Sequence, residues 1–245
     1  MIDTVTFDLW NTLVSNWPLD NQRYGRIRVE RINSILEQNG QKLKFDHLFQ
    51  AYDKGFEKCK EIWRQNLDLS TEEQLKIMFD LMKNDGLKNI PTDLMAELVE
   101  AFVSPILDEP PPVIDGAKET LHQIKKENYK VGLICNTGRT PGKTIRILLE
   151  QVGMINYFDV TTFSNEFRIR KPDPRIFLHT LAQLKSQPKY SLHVGDILEL
   201  DVLGSKNADM LSVHFSPDHI PYKDIVPDFT IRHLTELKEV LGNLK

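Results

Sequence analysis

Four short runs of this 245-residue chain carry residue types that can hold an anion and a hard cation together. Asp8 follows the β-branched and aromatic run Val5-Thr6-Phe7. Cys135-Asn136-Thr137-Gly138 closes a second apolar run, and Lys171-Pro172-Asp173-Pro174 offers an ammonium in a turn. Gly195-Asp196 ends a third apolar run, with Asp201 shortly after it. Asp8 and Asp196 together could hold Mg²⁺, which takes oxygen ligands, keeps several waters and is commonly shared with a substrate phosphate. Lys171 would balance the carboxylates and bind a phosphoryl oxygen. A carboxylate so placed can also attack phosphorus directly, dividing hydrolysis into formation and breakdown of an acyl phosphate. The metal and the lysine would supply the charge stabilisation that this transfer requires.

These runs work together only if the fold brings them to one place. Val5–Phe7 reads as a buried strand ending at a carboxylate. From about 18 to 104 the texture is helical, with Ile27, Val29, Ile32, Ile35 and Leu36, then Phe45, Leu48, Phe49, Tyr52 and Phe56, recurring near a 3.6-residue period. Asn39-Gly40 and Asn84-Asp85-Gly86 are helix stops, and Ser70-Thr71-Glu72-Glu73 is a cap followed by acids in a first turn. About four helices and no strand are expected there. After Pro110-Pro111-Pro112, strands near 131–135, 158–160, 191–195, 211–215 and 229–231 alternate with helices, one of them at about 199–206. That alternation predicts an α/β fold, a Rossmann-like doubly wound and mainly parallel sheet covered on both faces. The core would be discontinuous, 1–17 plus 105–245, with 18–104 inserted as an all-α cap. An insert after the first strand would lie above the carboxyl ends of the strands, where open α/β sheets bind ligands.

The same residues resemble a known family. Phe7-Asp8-Leu9-Trp10-Asn11-Thr12-Leu13, Ile134-Cys135-Asn136-Thr137, Arg170-Lys171-Pro172-Asp173-Pro174 and His193-Val194-Gly195-Asp196, with Asp201, look like the four ordered motifs of the haloacid dehalogenase superfamily of hydrolases. The likeness runs from residue 2 to about 243, and the insert looks like that superfamily's small α-helical cap. The resemblance implies a Mg²⁺-dependent phosphatase. Asp8 would be nucleophile and metal ligand, Asp196 a second ligand, and Asp201 a support for the metal, directly or through water. Trp10 would lend its backbone carbonyl to the metal, and Lys171 would orient Asp8 and the leaving anion. Cys135, Asn136 and Thr137 would bind substrate.

Two positions depart from the pattern. Phosphatases of the superfamily usually carry a second Asp two residues after the nucleophile, which protonates the leaving alcohol and then activates water; here that residue is Trp10. Such proton transfer is worth about 10²- to 10⁴-fold, so a weak phosphatase or one needing a good leaving group is expected. Cys135 stands where Ser or Thr is usual, and a thiol is a weak donor. The superfamily's dehalogenases also lack the second Asp, having Tyr there, and work without metal, so 2-haloacid dehalogenation is an alternative. Asp196 argues against it, because a carboxylate without a metal would repel a haloacid. A third reading is a degenerate member that binds a phosphorylated ligand or a protein partner without turnover.

Plainer roles fit several neighbours. Trp10 reads as a plug or a contact to the insert, Cys135 also as a small buried hydrophobe, and His193 as a core residue. Asp201 would also suit a helix's first turn. Gly138-Arg139-Thr140 can cap a helix or bind anions at its amino terminus. Arg23, Arg26 and Arg28 are expected on a solvated helix face, although the dehalogenase alternative would want an arginine from the insert to cradle the leaving halide and these three are in range; Trp17 and Trp63 are expected in packing. A net charge of −4 without any block of like charges argues against nucleic acid as a partner. No apolar run approaches the roughly 20 residues that cross a bilayer. The amino terminus carries no leader pattern, and Cys59 and Cys135 are too few for a disulfide framework. The expected setting is the cytoplasm, and the expected partner is a small phosphorylated molecule.

Overall fold

The computed structural model describes residues 1–15, 18–218 and 224–244, with backbone alone for 18–22. Trp17 therefore lies outside the described residues. The chain begins with β1 (Thr4–Phe7) and enters a helical stretch of α1 (Pro18–Gln38), α2 (Phe45–Trp63), α3 (Thr71–Asp80) and α4 (Thr92–Val103). It continues through α5 (Pro105–Asp108), α6 (Ala117–Lys126), β2 (Lys130–Cys135), α7 (Gly142–Gln151), β3 (Val160–Phe163), α8 (Ser164–Phe167) and α9 (Pro174–Gln183). The last elements are β4 (Ser191–Gly195), α10 (Leu203–Asn207), β5 (Leu211–Phe215), β6 (Phe229–Ile231) and α11 (Leu237–Gly242).

The six strands form one sheet in the order β3-β2-β1-β4-β5-β6, and every pairing is parallel. This is the doubly wound order, in which the direction of winding reverses beside the first strand. Between β1 and β4 the register sets Phe7 opposite Val194, and the Asp8 amide donates to the Val194 carbonyl at 2.8 Å. The carboxyl ends of β1 and β4 therefore lie side by side at the switch point, the crevice where such sheets bind ligands. Val5, Phe7, Leu133, Val194 and Val213 belong to one buried cluster, and Ile134, Ile176, Phe177 and Leu181 to another. Burial on both faces is what a parallel sheet needs.

The helical stretch has a cluster of its own, including Val29, Ile32, Leu36, Leu48, Leu75 and Leu98. Local chemistry sets its boundaries. Ser70 and Glu73 form a reciprocal capping box at the start of α3, the role their spacing predicts. A short ribbon ties this stretch to the sheet. The Arg170 amide donates to the Asn66 carbonyl at 2.9 Å, the Asp68 amide donates to the Arg168 carbonyl at 3.2 Å, and Leu67 and Ile169 form an antiparallel bridge between them.

Some expected boundaries shift. The strand expected near 158–160 runs over Val160–Phe163, because Ile155–Tyr157 is taken up in a turn of 3₁₀ helix. The helix expected at 199–206 starts instead as a wide π turn, Leu198–Val202, and tightens into α10 only at Leu203. The Asp201 side chain ties the start of this turn: its Oδ2 accepts the Ile197 amide at 3.0 Å, while its own amide donates to the Ile197 carbonyl at 2.8 Å.

Candidate active site

Each charged group of the site hangs from the end of a strand or from the turn after it. Asp8 leaves β1 and is 6% exposed; Asp196 leaves β4; Asp201 enters from the π turn. Carboxylate oxygens of the three lie within 4.8 Å of one another. Gly195 makes this convergence possible, since a Cβ there would stand 2.2 Å from Asp201 Cγ. Any larger residue would expel Asp201 from its place.

Lys171 arrives on the turn before α9 and holds two of the carboxylates. Its Nζ donates to Asp8 Oδ1 at 2.5 Å and to Asp201 Oδ1 at 2.6 Å. Asp201 Oδ1 also takes His193 Nε2 at 3.1 Å, and His193 Nδ1 lies 2.9 Å from the Thr6 hydroxyl. A neutral ring that donates through Nε2 and accepts through Nδ1 satisfies both contacts. Burial favours that neutral form by lowering the His193 pKa.

The environment pushes the three carboxyls apart. Burial raises Asp8 to about 6, with Lys171 opposing and Asp201 reinforcing the shift. Burial raises Asp196 to about 8, with help from the charges of Asp8 and Asp201. Burial acts the same way on Asp201, but Lys171 and His193 outweigh it and hold that carboxyl well below its usual range. The Lys171 ammonium is disfavoured by burial, yet Asp201 and Asp8 hold its pKa above the ordinary value. Asp196 is the carboxylate without a cation of its own, and its buried Oδ1 has no hydrogen-bond partner among the described residues. An orphaned oxygen beside two further carboxylates fits a divalent metal, which is a hard cation needing oxygen ligands.

The substrate-binding expectations fare differently. Asn136 is committed to the backbone: Oδ1 accepts the Lys171 amide at 2.8 Å and Nδ2 donates to the Lys171 carbonyl at 3.0 Å. It fixes the residue that grips Asp8. The Thr137 hydroxyl, expected to bind substrate, instead donates to Asp68 Oδ2 at 3.1 Å, and its amide donates to Ser164 Oγ at 2.7 Å. Thr137 is fully buried, so its polar groups serve the structure. Cys135 is fully buried as well, and burial followed by the nearby Asp8 charge pushes its thiol pKa well up. It fits the small buried hydrophobe.

Asp68 is the residue that the sequence did not single out. It is 2% exposed and sits just beyond α2. Its Oδ1 accepts Trp63 Nε1 at 2.8 Å, and its Oδ2 accepts Arg170 Nη1 at 2.7 Å as well as the hydroxyls of Thr137 and Ser164. Trp63, expected only to pack, thus carries a hydrogen bond and also lies beneath the Arg170 guanidinium.

A cavity of about 160 Å³ separates the helical stretch from the sheet, lined among others by Trp10, Asn136 and Arg139 on one side and Tyr24, Arg28 and Phe56 on the other. The Trp10 ring is half-buried and packs against the cluster of Tyr24, Ile106 and Leu148. Arg23 and Arg26 lie in exposed ion pairs with Glu109 and Glu30, as a solvated face requires. Arg28 does not share that face: it is 3% exposed and turned to the cavity. The helix places it one turn from both Tyr24 and Ile32, which are buried too.

The doubly wound sheet sets carboxylates and a lysine together at its switch point, and comparison with known proteins shows the family to which such a site belongs. The family model for haloacid dehalogenase-like hydrolases matches residues 2–209, and the chain belongs to that family. It is similar to pyrimidine 5'-nucleotidase YjjG of Escherichia coli, 33% identical over 147 residues. That match covers 59% of this chain and 63% of YjjG, less than two thirds of the relative's length. Ribulose-1,5-bisphosphate 5-phosphatase of Halopiger xanaduensis is 29% identical over 220 residues, 89% of this chain and 86% of that protein. Among solved structures, 2-haloacid dehalogenase from Pseudomonas syringae pv. Tomato has the same fold, with a TM-score of 0.73, 21% identity and full coverage of both chains. No helix among the described residues is long and apolar enough to cross a membrane.

Proposed function

We propose that the chain is a Mg²⁺-dependent phosphatase that cleaves a small phosphorylated compound through an acyl phosphate on Asp8. The observation that carries this reading is the convergence of Asp8, Asp196 and Asp201 within 4.8 Å at the switch point, with Lys171 bonded to Asp8. The phosphatase names of the curated relatives support it. Residues 18–104 are read as a cap over a core of 1–17 and 105–245, each part having its own buried cluster.

Asp8, Asp196 and the Trp10 backbone carbonyl would hold the metal, with Asp201 supporting it. The metal would supply charge neutralisation for the phosphoryl oxygens. Asp8 attacks phosphorus, the P–O bond to the leaving group breaks, and water then cleaves the acyl phosphate to return Asp8 and release inorganic phosphate. Lys171 holds Asp8 ionised and oriented, and its ammonium offsets charge on the transferring group. No carboxylate or imidazole lines the adjoining cavity among the described residues, so the leaving oxygen departs without a strong acid beside it. Substrates with good leaving groups are therefore favoured.

Phosphate release from a panel of phosphorylated metabolites and an aryl phosphate, with Mg²⁺ and with chelator, tests the reading. Metal-dependent release is expected, greatest for the aryl ester. No release from any compound would overturn it.

A further inference from the structure

We propose that the cavity beside Trp10 is a binding site for a second anionic group, a carboxylate or phosphate at the far end of the phosphorylated substrate, held by Arg28 and Arg139. The proposal rests on the phosphatase reading and names the substrate class for it.

The Arg28 and Arg139 guanidiniums line this cavity, and Asp53 and Glu57 are the acidic groups whose charge reaches Arg139, neither of them lining the cavity. Arg170, which also lines it, differs because its charge is met by Asp68 at 2.7 Å. Arg28 donates through Nε to the Phe102 carbonyl at 2.8 Å and through Nη2 to the Thr140 hydroxyl at 3.2 Å, both neutral acceptors. The Arg139 guanidinium lies between two aromatic faces, its carbon 3.5 Å from the Tyr52 ring centroid and 3.9 Å from that of Phe56. Rings on both sides fix its plane; Nη2 donates to the Tyr52 carbonyl at 3.3 Å, and the rest of its edge can carry further hydrogen bonds. Burial lowers its pKa to about 10, so the guanidinium stays charged at neutral pH.

Holding two cations in a shared cavity with no anion lining it is costly, because burying a charge is compensated only by a well-placed partner. Apart from Arg170, which Asp68 meets, the other lining side chains are neutral, so an anion that bonds Arg28 and Arg139 directly inside the cavity comes from outside the chain. Planar guanidiniums match a carboxylate or phosphate by paired N–H donors. The cavity also borders the reacting centre. Trp10 follows Asp8 by two residues, and Asn136 clasps the backbone of Lys171, whose ammonium holds Asp8. A leaving group that departs from phosphorus on the Trp10 side enters this space.

The test is equilibrium binding by calorimetry with Mg²⁺ present, using Asp8→Asn protein so that no probe is consumed. The probes are ω-phosphooxy carboxylates and α,ω-bisphosphates of increasing chain length, against alkyl phosphates of matched length. At the best length, the doubly anionic probes are expected to bind at least about tenfold more tightly than the alkyl phosphate. Comparison of the carboxylate and bisphosphate arms identifies which anion the site takes. Arg139→Gln and Arg28→Gln should each erase the preference, while the exposed Lys143→Gln should keep it. Equal binding of the doubly anionic probes and the matched alkyl phosphates overturns the second-anion site and leaves the phosphatase reading standing. Conversely, binding of plain dicarboxylates that depends on Arg139, with no binding of any phosphate ester, keeps the site and overturns the phosphatase reading. Binding by none of the probes overturns both. The selectivity of the Asp8→Asn protein with both arginines in place decides the matter even where an arginine variant does not fold.

Discussion

Lys171 Nζ stands 2.5 Å from Asp8 Oδ1, with the two side chains only 1% and 8% exposed. An ammonium buried against the carboxylate proposed to attack phosphorus favours its ionised form, and it also neutralises charge that the fold could not otherwise hold. Lys171→Met should therefore damage stability and activity together. Leaving Asp8 and Asp201 without their shared cation is expected to cost about 3–5 kcal/mol in urea unfolding. A variant as stable as the wild type would show that the carboxylates do not depend on this lysine.

Asp8→Asn separates chemistry from folding. The amide keeps the size of the side chain but cannot attack phosphorus, so turnover should fall by at least about 10³-fold. Circular dichroism and the thermal midpoint should show a folded protein. Activity within tenfold of wild type would remove Asp8 from the nucleophile's role.

The motifs on strand ends were legible because each is local: Asp8, Lys171, Asp196 and Asp201 stand within runs whose order the sheet converts into proximity. The Ser70–Glu73 box was legible for the same reason. Asp68 was not, since its partners come from positions 63, 137, 164 and 170, and nothing in the surrounding sequence marks the meeting. Arg28 escaped because three arginines on one helix look alike until another unit covers one face. Its spacing of four from both Tyr24 and Ile32 was the available signal. The contact between the Thr137 hydroxyl and Asp68 was not legible for the same reason as the other contacts of Asp68.

Trp10→Asp tests the missing proton donor. With the nucleophile, lysine and metal carboxylates in place, hydrolysis of alkyl phosphates should rise by about 10²-fold or more relative to wild type. The gain should be much smaller for an aryl phosphate, whose leaving group needs little help. Equal gains for both substrate types would show that proton transfer is not what the tryptophan lacks.

Metal binding should be visible without turnover. Mg²⁺ is expected to raise the thermal midpoint of the wild type, a gain of about 2.7 kcal/mol at a hundredfold excess over Kd. Chelator should reverse it, and Asp196→Asn should abolish it. An unchanged shift in that variant would place the metal elsewhere.

The same carboxyl gives the metal-free protein a pH signature. Asp196 moves from an ordinary 3.8 to about 8 on folding, so between those values the folded state binds more protons than the unfolded one. Its contribution is complete below 3.8 and is lost as pH rises through about 8. Stability in chelator should accordingly decline over that window, less steeply in Asp196→Asn. Mg²⁺ displaces the proton, so its affinity should climb over the same range. Metal affinity independent of pH there would contradict the assignment.

Asp68→Ala should loosen the contact between the helical stretch and the sheet. Arg170 would lose its buried anion, at a cost of about 3–5 kcal/mol. Hydrogen exchange should quicken in the ribbon at 66–68 and 168–170 before it quickens in the central strands. Uniform acceleration across the chain would show instead that the two units unfold as one.

That ribbon ends one residue short of Lys171, because the Arg170 amide is bonded to the Asn66 carbonyl. The helical stretch is thus in mechanical series with the counter-ion of the nucleophile. A shift at the end of α2 pulls on the chain that carries the ammonium. A displacement of α2 against the sheet would therefore reach the ammonium beside Asp8 through one backbone hydrogen bond and one peptide unit.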